Sequence, residues 1–121
     1  RATPGVRERM SRLGRLGREL LLPVLAGYRG EPRAADPTGH PSADPPVHDV
    51  CAVALVADPG LFGCHPALVE VETAGRLTVG MTVTTFGAAD PNALVALSID
   101  TTAFWDLVLA AFARVPPAQV G

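Results

Sequence analysis

The sequence predicts a mixed α/β domain, and three features lead to that class. Apolar residues spaced three and four apart mark an amphipathic stretch at the start. A block of β-branched segments fills the middle, and a second helical stripe lies near the end. The order read from the chain is helix, long loop, buried helix, three strands and a C-terminal helix. At 121 residues, 48% hydrophobic and 18% charged, the chain is long enough to bury a core and too apolar to be disordered throughout.

Thr3-Pro4 has the form of an N-cap followed by proline at the first helical position. Val6, Met10, Leu13, Leu16, Leu20 and Val24 then make one stripe, which predicts a helix over about 4–22 that is kinked or ended near Pro23 and closed by Gly27. Residues 29–46, RGEPRAADPTGHPSADPP, read as a loop rich in turn formers, and a loop of that length in a compact domain points to function or to disorder. Residues 49–57, DVCAVALVA, are apolar on nearly every side, so as a helix they are expected to be buried. Asp49 would cap that helix, and DPGLFG from Asp58 would end it. ALVEVE (67–72) and LTVGMTVTTF (77–86), separated by Thr73-Ala74-Gly75, predict a hairpin, and ALVALSI (93–99) follows the DPN turn as a third strand. Asp100-Thr101-Thr102 open a helix carrying Trp105, Val108, Leu109 and Phe112 on one face, and Pro116-Pro117 stop it.

Charge is unevenly spread. All ten basic residues are arginine, and the first eighteen positions hold six of them against Glu8 alone, a net +5. The remainder carries four Arg against eleven carboxylates, a net −7. Such a leading helix could grip nucleic acid or a membrane surface, but no aromatic or Lys-rich interleaving accompanies the arginines, so a solvated helix face is the favoured reading. Cys51 and Cys64 lack metal-like or CxxC spacing and read as reduced thiols. Residues 1–25 do not resemble a signal peptide, and no run reaches the length that spans a bilayer. A cytoplasmic protein, bound to neither membrane nor nucleic acid, is the expectation.

His48-Asp49 is the sharpest local feature. A carboxylate at a helix N-terminus is explained by the helix dipole alone, which is the structural reading. The functional reading has Asp49 ligate a hard cation while His48 reaches a substrate as proton donor or hydrogen-bond partner. His40 and His65 lack helical spacing with any other histidine and read as exposed loop residues. Tyr28 closes the first helical region, either over a pocket or as an aromatic anchor for the loop. Glu70 and Glu72 share a strand face, as a glycosidase carboxylate pair or, more simply, as the solvated side of a hairpin. Trp105 belongs to a core stripe.

The ordered set HDVCAVALVADPGLF, VEVETAGRLTVGMTV and PNALVALSIDTTAFWDLVLAAFARV resembles the C-terminal third of the inosine-uridine-preferring nucleoside hydrolases, over at least residues 48–115, and the leading TP…RLGRLGRELLLPVL…Y extends the resemblance toward the start. The resemblance implies one partial domain over 1–121, the C-terminal part of that family's open α/β fold. It also implies hydrolysis of the N-glycosidic bond of a purine or pyrimidine nucleoside to base and ribose, in nucleoside salvage, with a bound Ca²⁺. By position Asp49 resembles a calcium-ligand aspartate, His48 the histidine that activates the leaving group, and Tyr28 an aromatic that closes over the base. Val50 stands where the family commonly has proline. The family's N-terminal Asp-rich signature has no counterpart among the twelve acids here. The resemblance therefore implies a fragment, a truncated product or one piece of a split protein, silent alone without its N-terminal half unless it oligomerises. The other expectation is a non-catalytic remnant acting as a protein interaction module, with apolar area exposed on the 49–57 helix.

Overall fold

The computed structural model describes residues 1–27 and 46–116. The chain divides into two compact units, one made of the residues up to Ala57 together with those from Thr101 onward, the other of Asp58–Asp100.

The first unit is helical. Helix α1 (Pro4–Ser11) starts on Thr3, whose Oγ1 accepts the Val6 amide at 3.4 Å, with Pro4 in the first turn where no amide hydrogen is needed. Val6 and Met10, one turn apart, are its buried face. The predicted continuous helix over 4–22 breaks at Gly14, which adopts φ 68°, a left-handed value that glycine reaches without a Cβ penalty. A π-helical segment, Leu16–Leu21, then leads into α2 (Leu22–Gly27). Pro23 therefore does not stop the helix. The wider turn ahead of it is the geometry that admits a proline ring, which in a regular α-helix meets the carbonyl four residues back. Gly17 is buried against the end of α1, and a Cβ there would run into the Met10 carbonyl oxygen.

Helix α3 (His48–Ala57) and helix α4 (Thr101–Ala113) complete this unit. Phe104, Trp105, Val108 and Leu109 of α4 are buried as the stripe predicts, each side chain contributing about 1.5–3 kcal/mol of apolar burial. The Phe104 and Trp105 rings meet edge to face, with centroids 5.0 Å apart. The Trp105 indole N–H donates to the Arg1 carbonyl at 3.2 Å, and Ala2 is wholly buried. Arg9 pairs with Asp106 between α1 and α4, a half-exposed contact that fixes geometry more than it adds stability.

Helix α3 departs from expectation in one respect. It forms where the sequence places it, but only Ala54 is buried, while Val53 and Val56 are 70% and 85% exposed. A helix apolar on every side needs neighbours on every side, and among the described elements of its unit the main neighbour of α3 is α4. Val53 and Val56 thus leave part of the apolar surface of this helix open.

The second unit is a three-stranded antiparallel sheet of β1 (Phe62–Val71), β2 (Thr82–Phe86) and β3 (Ala93–Ile99), in the order β2-β1-β3. Strand β1 is shared in a staggered way. Residues 62–67 pair with β3 and residues 67–71 with β2, so only Ala67 lies between two partners, and it is fully buried. That stagger explains how β1 begins five residues before the predicted start, through Pro66. At Pro66 the strand has a partner only on the β3 side, so the missing N–H leaves no gap on the other. Strand β2 begins at 82 and not at 77, because residues 76–80 form a turn. There the Met81 amide bonds the Thr78 carbonyl at 2.9 Å, and Gly80 takes φ 86°. Strand β3 occupies the predicted 93–99.

Candidate active site

The backbone of α3 puts its two chemistry-bearing residues at the helix mouth. The Val47 carbonyl accepts the Cys51 amide at 3.2 Å, which makes His48 and Asp49 the first two helical residues. Asp49 is thus an acid in the first turn, favoured there by the exposed N–H groups and the helix dipole, and not the residue that precedes the helix. Both side chains are exposed. Successive helical residues point about 100° apart, so the imidazole and the carboxylate address different directions from one rigid mount.

Among the described residues, no three His, Cys, Asp or Glu side chains group as a metal would require. Ca²⁺ takes six to eight oxygen ligands, and one carboxylate supplies at most two. The described residues do not make a calcium site.

Tyr28 and His40 lie outside the described residues. His65 is exposed on β1 opposite Val95. Glu70 is exposed on β1 opposite Val83, whereas Glu72 turns back on its own chain. The Glu72 Oε1 accepts the Ala74 and Gly75 amides at 2.8 and 2.9 Å, and those two bonds, Ala74 first, hold its carboxyl below the usual glutamate range. Glu72 is occupied in building the hairpin turn, so the two glutamates are not a glycosidase pair. Cys51 and Cys64 are half-buried free thiols. The arginine-rich stretch spends Arg12 on Glu8 and Arg15 on Glu19 one turn away, besides the Arg9–Asp106 pair.

Sequence reasoning missed the work of Asn92. Its side-chain amide accepts the Val69 N–H at 2.8 Å and donates to the Val69 carbonyl at 2.9 Å, while its own N–H donates to the Ala67 carbonyl. The side chain thus supplies one more rung beside β1 where β3 has not yet begun. An asparagine directly before a strand was the available signal, and it reads equally as a turn residue. The neighbouring depression of about 270 Å³, lined by Pro66, Pro91, Asn92, Ala93 and Leu94, is shallow and holds no titratable side chain.

The family model described as inosine-uridine preferring nucleoside hydrolase matches residues 6–106 of the chain. The chain belongs to this family. An inosine-uridine preferring nucleoside hydrolase from Leishmania major is 34% identical over 122 aligned residues, covering 98% of the chain and 37% of the relative. One of the same name from Crithidia fasciculata is 42% identical over 76 residues, 60% of the chain and 24% of the relative. A non-specific ribonucleoside hydrolase, RihC, from Klebsiella pneumoniae is 46% identical over 61 residues, 48% of the chain and 20% of the relative. The chain thus spans between a fifth and two-fifths of the length of these nucleoside hydrolases, and the matched region includes His48, Asp49 and all three strands. No helix among the described residues is long and apolar enough to cross a membrane.

Proposed function

We propose that this nucleoside hydrolase chain provides the C-terminal part of a nucleoside N-ribohydrolase site that cleaves the bond between base and ribose. The observation that carries the reading is the exposed His48-Asp49 pair on the first turn of α3, inside the region the family model matches. In such a cleavage the base departs as positive charge builds on the sugar. A histidine is the side chain best suited to hand the departing base a proton near neutral pH, and His48 takes that role. Asp49 contributes one oxygen donor to a Ca²⁺ whose other ligands the described residues lack, so this chain alone is inactive. Tyr28 is assigned to the base side of the site. Substrates are nucleosides of the inosine and uridine class, and the setting is nucleoside salvage in a reducing cytoplasm, which suits two free thiols.

A second reading, a non-catalytic interaction module, is favoured by the exposed Val53 and Val56 on α3. One experiment separates the two. Ribose release from inosine and uridine is measured for the chain alone and for the chain mixed with the part of the Leishmania relative that it does not cover, each in Ca²⁺ and in EDTA. Silence alone and Ca²⁺-dependent release in the mixture, lost in both His48→Ala and Asp49→Ala, is the expected result. Binding without release favours the module. Ca²⁺-dependent release by the chain alone overturns the claim that it is inactive by itself.

A further inference from the structure

We draw no further inference here: the strongest candidate, the apolar surface patch of Leu77, Val79 and Met81 on the connection between β1 and β2, stands exposed with nothing in the structure to show what covers it.

Discussion

Gly17→Ala offers the sharpest check on the packing of the helical unit. Gly17 is buried, and a Cβ built on it lies closer to the Met10 carbonyl oxygen than real side chains ever come. The obstruction is backbone, so no flexible side chain can swing aside. Overpacking of this kind costs about 1–3 kcal/mol, and backbone contact places it at the upper end. Replacing glycine by alanine in a helix returns up to about 1 kcal/mol. The net is a loss of about 2 kcal/mol, or roughly 6–10 °C in Tm for a chain of this length. Gly5→Ala is the matched control, because Gly5 lies in α1 with nothing within 4 Å of the added carbon. It should raise Tm by a few degrees. Thermal unfolding followed by far-ultraviolet circular dichroism reads both. If the two variants shift Tm in the same upward direction, the close approach of the π-helical segment to α1 is wrong.

Three other outcomes follow from the structure. The Glu72 carboxyl is held below its usual range by backbone amides, so its support of the turn is complete above the ordinary glutamate value of about 4.3 and disappears as pH falls through the lowered folded value. The protection of the Ala74 and Gly75 amides, taken relative to their intrinsic exchange rates, should therefore fall on acidification in the natural chain, and Glu72→Gln should flatten that dependence; an unchanged protection profile would contradict the assignment. Asn92→Ala removes both hydrogen bonds to Val69 and should cost about 1–2 kcal/mol in urea unfolding, with faster exchange at the Val69 amide. Val56→Lys, at an 85% exposed site in the last turn of α3, should leave stability within about 0.5 kcal/mol, and a loss of several times that would mean the side chain is covered.

Local signals carried the helix and strand boundaries wherever nothing distant competed with them. Helix α4 runs from Thr101 to Ala113, close to the predicted start and stop, and β3 falls on its apolar run. Long-range pairing decided the remainder. Gly63 reads as part of a turn and is a strand residue, because β1 finds β3 some thirty positions later and needs no β2 partner there. Gly14 and Pro23 both look like helix breakers, and only their surroundings show that the first breaks the helix while the second is absorbed by a π turn. For the site, the sequence marked His48 and Asp49 as neighbours at a helix start, and the structure puts them on its first turn. What the residues left undecided is whether the apolar faces of α3 are buried or open, since burial depends on which partners are present and not on the composition of the helix itself.

The single tryptophan of the chain is Trp105, enclosed to within 3% of its surface and hydrogen-bonded through its indole to Arg1. Its emission is therefore a built-in optical gauge of one event, the seating of the N-terminal residues on α4. When those residues lift away, water reaches the indole and the spectrum moves to the red. A fluorimeter can thus follow this docking label-free.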